Sequence, residues 1–147
     1  MLASCLWLAT FQNPNRLYQL SDLKRVTVMF GSRAIPSYLC DTDPKRQEGM
    51  MFLTAKEFKT SEGFLFHFPD EAPRGFWMRN TVLPLDIIYI KRNGLVTNVG
   101  QGKPFSERTI PSAEPATYVL ELRQGMAKKF GIKAGSRIKI PKLPPAQ

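Results

Sequence analysis

Asp86 is the residue whose type and position most clearly suggest chemistry, because it is an acid within an apolar run. The run reads Val-Leu-Pro-Leu-Asp-Ile-Ile-Tyr-Ile over residues 82–90. Side chains alternate along a strand, so Asp86 should share a face with Ile88 and Ile90. A carboxylate on a buried face is costly unless it is paired or hydrogen-bonded. Two roles stay open: a structural one, tying the preceding turn to the strand, and a pocket one, binding a polar ligand or acting as a general base.

The residues just before Asp86 supply the other candidates for a binding site. Trp77 and Met78 should point to opposite faces of their strand, so that one joins the core and the other lines a cleft. Core packing of both is the simpler alternative. A tryptophan beside amide, hydroxyl and carboxylate groups is suited to hold a sugar or a planar ligand. The predicted ligand-binding residues are Trp77, Met78, Asn80, Thr81 and Asp86.

Few side chains in this sequence support nucleophilic or metal chemistry. The one histidine, His67, has no Gly-x-Ser-x-Gly motif beside it, which disfavours a Ser–His–Asp hydrolase. Cys5 and Cys40 fit no zinc-binding spacing. Methionines could bind Cu(I) together with Cys40 or His67, but methionine is more often core filler. The sequence therefore predicts no catalytic residue, no metal and no cofactor.

The elements that position these residues are short, since twelve prolines and ten glycines interrupt the chain. Alternating apolar residues predict strands over 26–30, 35–40, 64–68, 76–81, 85–91, 95–99, 117–122 and 138–140. Asn93-Gly94 predicts a hairpin turn. Two short helices are predicted, one with Asp43 as N-cap, Pro44 as its first residue and Gly49 at its end, the other with Leu122, Met126 and Phe130 on one face. This pattern predicts a mainly β domain, a compact sandwich or barrel with two short helices.

The domain organisation follows from composition. Residues 1–22 are predicted as an N-terminal segment and linker, residues 23–141 as a single β domain, and residues 142–147 as a proline-rich tail. Leu2-Ala3-Ser4-Cys5 has the form of a lipobox, in which the cysteine is lipidated. Only Met1 precedes it where an apolar segment is expected, so either the true start codon lies upstream or the match is accidental. The lipobox form favours an extracytoplasmic or envelope location over a cytoplasmic one. No stretch approaches the roughly 20 apolar residues that a membrane helix needs, so no transmembrane span is predicted.

The formal charge of +9 lies wholly in the second half of the chain. Residues 74–147 carry thirteen basic and four acidic residues, whereas the charges of residues 1–73 cancel. Such a half favours an anionic surface as partner, with solubility as the simpler explanation. The basic residues are dispersed and accompany no nucleic-acid-binding motif, so nucleic acid is disfavoured.

Several blocks of the sequence resemble one bacterial and archaeal family, the "domain of unknown function 192" family. They include Gly49–Phe52, Phe76–Thr81 with Pro84–Ile88, and Val119–Glu121, within roughly residues 24–140. The sequence departs from the family's usual Gly-Met-Leu-Phe at Gly63–Phe66. The resemblance implies a jelly-roll-like β domain and a frequent secretion signal, and it implies no activity.

Three functions therefore stay open. The first is a non-catalytic β domain that binds a small molecule or carbohydrate at the residues named above. The second is an enzyme with Asp86 as general base. The third is an accessory module of the envelope that binds anionic surfaces. The first is favoured, because one histidine and one well-placed carboxylate leave little machinery for catalysis.

Overall fold

The fold is a mainly β domain, known from a computed structural model that describes residues 12–147. The lipobox prediction at Leu2–Cys5 lies outside these residues. A single turn of 3-10 helix covers Leu20–Asp22. The strands are β1 (Arg25–Phe30), β2 (Arg33–Cys40), β3 (Gly63–Ala72), β4 (Gly75–Phe76), β5 (Leu85–Ile90), β6 (Val96–Gly102), β7 (Ile110–Pro111) and β8 (Ala116–Arg123), and the helices are α1 (Asp43–Glu48) and α2 (Met126–Phe130). This confirms the predicted class and the two short helices.

Six strands form one open sheet in the order β1-β2-β3-β8-β5-β6, and β4 pairs with β7 in a second, two-stranded sheet. Only the β2–β3 pair of the large sheet is parallel; the other pairs are antiparallel. Because the large sheet does not close on itself, it is not a barrel. In the described part of the chain, no helix is long and apolar enough to cross a membrane.

The two faces of the large sheet each bury an apolar layer. One layer, here called the aromatic face, contains residues from β3, β5 and β8 such as Phe64, Phe66, Ile87, Tyr89 and Val119. The other, here called the aliphatic face, contains their alternating neighbours together with residues of α2 and the C-terminal region; examples are Leu65, Ile88, Ile90, Leu120, Leu122 and Ala127. The period of two along each strand decides which face a side chain joins.

The hairpin between β5 and β6 turns at Asn93-Gly94 as predicted. Gly94 has φ +88°, and a Cβ there would lie 2.3 Å from the carbonyl oxygen of Ile138. Ile138 in turn donates its amide to the carbonyl of Gly94 at 2.9 Å. Only glycine combines this conformation with this close approach.

Four local predictions were wrong. Residues 76–81 form no strand beyond Phe76, because the chain turns back so that the Thr81 amide donates to the Met78 carbonyl. Residues 138–140 make only an isolated bridge, between Lys139 and Met29. Leu122 lies in β8, as the predicted strand over 117–122 requires, so its predicted place on the face of the second helix was wrong. The N-cap of α1 is Thr42 rather than Asp43.

Candidate functional site

Two buried acids, Asp86 and Glu121, lie on opposite faces of the large sheet. In the β5–β8 pair, Asp86 stands opposite Leu122 and Ile87 stands opposite Glu121. Asp86 therefore joins the aliphatic face, as its predicted alternation with Ile88 and Ile90 requires, and Glu121 joins the aromatic face. The exposed fractions are 2% for Asp86 and 4% for Glu121.

Asp86 has both carboxylate oxygens occupied by protein donors. The Gln101 side-chain amide donates to Oδ1 at 2.9 Å, and the Ala127 backbone N–H donates to Oδ2 at 2.9 Å. Asp86 thus ties β5 to β6 and to the first turn of α2. Asp86 also lines a cavity of about 620 Å³, together with Gln101, Lys128 and Lys133. Since its oxygens are already satisfied, the geometry around Asp86 favours the structural role.

Glu121 has no such partners, and sequence reasoning did not select it. Its carboxylate accepts no hydrogen bond within residues 12–147, and burial alone raises its pKa to about 8. Burial, and after it the charge of Glu121, raises the pKa of Cys40 and of Tyr89. A buried carboxyl with neither donor nor counter-ion is unusual, because burying a polar group unpaired costs free energy. Among the described residues, the side-chain polar atom that is sealed from solvent without a partner is His67 Nδ1, so the Glu121 oxygens keep contact with the space beside them.

The Glu121 carboxyl lines a small cavity of about 40 Å³, here called the slot. The other residues around it come from α1 and the loop after it, from β3, and from the segment after β4; they are Arg46, Gln47, Glu48, Gly49, Met50, Met51, Phe66, Phe76, Trp77 and Thr81. The Phe66 and Phe76 rings pack edge to face at 4.9 Å. Aromatic and thioether side chains thus make up about half of the wall, and its possible side-chain hydrogen-bond donors are Arg46, Gln47, Thr81 and the Trp77 indole.

The charged residues of α1 that reach the slot are engaged elsewhere. Arg46 donates to the His67 carbonyl at 2.7 Å and pairs with Asp43 at 2.5 Å. Glu48 accepts the backbone N–H groups of Leu17 and Tyr18. Neither side chain neutralises Glu121, which agrees with burial being the sole cause of its raised pKa.

A wider groove of about 620 Å³ adjoins the slot and shares Trp77, Gln47, Glu48 and Met51 with it. Leu17, Pro44, Phe52, Arg79 and Asn80 complete its lining. Leu17 and Trp77 are exposed apolar side chains in this wall, with exposed fractions of 74% and 46%. The Arg79 guanidinium lies 5.4 Å from the Trp77 ring centre. The groove therefore offers an open aromatic and aliphatic surface that leads to a buried acid.

The backbone of the groove is held in a strained conformation. Phe52 and Asn80 have φ of +64° and +54°, and the Phe52 amide donates to the Asn80 carbonyl at 2.8 Å. Positive φ is tolerated by asparagine but is rare for a bulky residue such as phenylalanine. Such strain concentrates at functional sites.

The polar segment after residue 12, predicted as a linker, packs against the groove. Arg16 is 7% exposed and donates to the carbonyls of Gly49 at 3.1 Å and Met51 at 2.5 Å. Its guanidinium also pairs with Glu48 at 3.4 Å. These contacts fix Leu17 at the mouth of the groove and hold the loop after α1 in place.

The structure brings together three of the five predicted site residues. Trp77 and Asn80 line the groove, and Thr81, 5% exposed, lines the slot with Trp77. Met78 is adjacent in sequence but fully buried in the core of the aromatic face. Asp86 is separated from all of them by the sheet. The signal that identified Asp86, an acid in an apolar strand, is also present at Glu121 within Val119–Leu122.

The basic residues of the second half lie on different elements of the fold. Lys128 and Lys129 belong to α2, which packs on the aliphatic face. Arg123 donates to the carbonyl of Phe58, a residue of the aromatic layer. A single basic patch that binds an anionic surface stays a prediction.

Comparison with known proteins places this architecture in a family. The model of the "domain of unknown function 192" family, DUF192, described as "Uncharacterized ACR", matches residues 26–140. A solved protein of unknown function from Novosphingobium aromaticivorans is similar, with 34% identity, a TM-score of 0.77, and coverage of 85% of this chain and 91% of that one. A "putative transcription regulator" from Sinorhizobium meliloti is 34% identical with a TM-score of 0.69, over 78% of this chain and 91% of that one. No curated protein matches the sequence. The chain therefore belongs to the DUF192 family.

Proposed function

We propose that this protein binds a small molecule or carbohydrate in the groove, with one polar group of the ligand inserted into the slot against Glu121. The observation that carries the proposal is the Glu121 carboxyl, which is 4% exposed and lines the slot without a protein partner. A bound group that donates a hydrogen bond would satisfy it and recover the cost of its burial.

The groove supplies the nonpolar part of the recognition. A half-exposed tryptophan next to a polar anchor is a common arrangement in small-molecule sites, which are mostly apolar with a few placed polar groups. Trp77 offers its ring to a planar or sugar-like body, and Leu17 faces the same space. The positive φ of Phe52 and Asn80 supports a site here, since such conformations are kept where function requires them.

The experiment is a fragment screen of the full chain by saturation-transfer NMR, using sugars, alcohols, amides and amines. Hits are then repeated with Trp77→Ala and Glu121→Gln. Phe105→Ala is the matched control for Trp77, because Phe105 is an aromatic residue with an exposed fraction of 63% that does not line the groove. We expect hits that survive Phe105→Ala and disappear in both site variants. Hits unaffected by either site variant would refute the proposal.

A second candidate function, proton transfer by Glu121, is favoured by one observation. Burial raises the pKa of Glu121 to about 8, which is near the value that suits a general acid or base at neutral pH. Fragments that bind are therefore also incubated with the protein and followed by NMR for product. Turnover by the native chain and not by Glu121→Gln would establish catalysis.

A further inference from the structure

We infer that the group inserted into the slot is a primary ammonium carried on an apolar stem, as in an alkylamine. This inference rests on the proposed function and names the chemical class of its ligand. It follows from what the slot contains and from what it lacks.

The slot offers electron-rich groups and lacks a free cation. Its wall joins the Glu121 carboxyl to the rings of Phe66, Phe76 and Trp77 and to the sulfur atoms of Met50 and Met51. Aromatic rings attract cations placed over their faces, and thioethers act as weak acceptors. Arg46 is committed to Asp43 and to the His67 carbonyl. Gln47, Thr81 and the Trp77 indole are uncharged donors in the same wall. A cationic donor therefore complements the Glu121 carboxyl and the aromatic rings, whereas an anion would meet an unpaired carboxyl.

The size of the slot limits the cation. Its volume of about 40 Å³ is far below the roughly 300–1,000 Å³ of pockets that hold a whole small-molecule ligand. The slot therefore suits the end group of a ligand, and a primary ammonium with its first methylene is a small one. A quaternary ammonium has no N–H group to donate to Glu121. The apolar stem would then lie in the groove between Leu17 and Trp77, the exposed apolar residues of its wall.

An ammonium pairs with Glu121 only when the carboxyl has lost its proton. The affinity for an amine should therefore depend on pH. The ionisable or charged groups around this carboxyl are Cys40 on β2, Tyr89 on β5, and Arg46 and Glu48 on α1. Burial raises the pKa of Glu121 to about 8, and an alkylammonium stays charged to about pH 10. The ionised fraction of Glu121 thus rises about fivefold between pH 7 and pH 8. Amine affinity should rise by the same factor, and affinity for a neutral alcohol should stay level or fall.

The test is an NMR titration of the full chain with n-butylamine, 1-butanol, butyrate and tetramethylammonium at pH 7 and pH 8. The indole N–H signal of Trp77 is assigned with Trp77→Phe. We expect butylamine to bind more tightly than the other three probes and to gain about fivefold in affinity between the two pH values. In Glu121→Gln, the preference for the amine over the alcohol and the pH dependence should both disappear.

Several results would overturn the inference. One is equal or tighter binding of butanol, which would leave the proposed function intact, since Glu121 would then serve a neutral hydroxyl. Equal binding of tetramethylammonium, which has no N–H group, would show that the bound cation donates no hydrogen bond to Glu121. Amine binding that is unchanged in Glu121→Gln would also show that the amine does not contact Glu121. The proposed function fails under a different result. It is refuted when, in the fragment screen, no fragment of any class depends on Trp77 and Glu121 for binding.

Discussion

Replacing Glu121 with glutamine should stabilise the protein, and the gain should grow as the pH rises. Glutamine keeps the size of the side chain but does not ionise. In the folded chain burial raises the pKa of Glu121 from an ordinary value of 4.5 to about 8. Folding at neutral pH therefore requires the carboxyl to take up a proton that the unfolded chain has released.

The magnitude follows from the two pKa values. Between pH 4.5 and pH 8 the folded state binds more protons than the unfolded state, so the free energy of unfolding falls as the pH rises through this window. Each pH unit in the middle of the window costs about 1.4 kcal/mol. The total cost in the native protein is about 1 kcal/mol at pH 5 and about 3 kcal/mol at pH 7. Glu121→Gln removes this dependence. Between pH 5 and pH 7 its free energy of unfolding should therefore rise by about 2 kcal/mol relative to that of the native chain.

Urea unfolding followed by circular dichroism at pH 5, 6, 7 and 8 measures this difference. Titration of all other groups cancels when the variant is compared with the native chain at each pH. Glu107→Gln is the control for loss of a carboxylate, because the Glu107 side chain is 67% exposed. A difference between Glu121→Gln and the native chain that stays constant from pH 5 to pH 8 would refute the reasoning, since Glu121 would then be solvated or paired.

Three further predictions concern stability, each measured by the midpoint of urea unfolding. Asp86→Ala should cost about 1–3 kcal/mol, because the Ala127 N–H and the Gln101 amide both lose their acceptor; no loss would show that water replaces the carboxylate. Arg16→Met should cost about 3 kcal/mol by leaving Glu48 without its cation, and an unchanged midpoint would mean that the segment is dispensable. Gly94→Ala should cost at least about 1 kcal/mol, since its Cβ would meet the Ile138 carbonyl oxygen; a neutral effect would mean that the turn relaxes freely.

The sequence predicted the strands well wherever their alternation is visible locally. β1, β2, β5 and β8 lie within two residues of the predicted positions, because each alternates or runs apolar between clear turn residues. The prediction failed where tertiary contacts decide the structure. The segment after Phe76 looks apolar enough for a strand, yet the Met78 amide donates to the carbonyl of Ser106, a residue far along the chain.

Only part of the candidate site was predicted from the sequence. The cluster of Trp77, Asn80 and Thr81 was predicted because these residues lie close together in the sequence. Glu121 was missed because its surroundings are nonlocal: its strand neighbours are Phe64 on β3 and Ile87 on β5. The slot also depends on the turn after α1, where Gly49 approaches the Phe66 ring so closely that a Cβ would lie 3.0 Å away. No spacing in the sequence reports such an approach.

The two buried acids differ in the groups that the two faces of the sheet place around them. Both stand in apolar strands, and both are almost fully buried. On the aliphatic face, α2 presents the Ala127 N–H and β6 presents the Gln101 amide, so that Asp86 is satisfied by the protein itself. On the aromatic face, Glu121 meets a slot lined by aromatic, thioether and a few polar side chains, and the cation in that lining, Arg46, is held by other partners. An acid kept in such a setting reduces stability at neutral pH. The protein retains that cost where an open groove adjoins the slot, which is the physical reason to look for the ligand there.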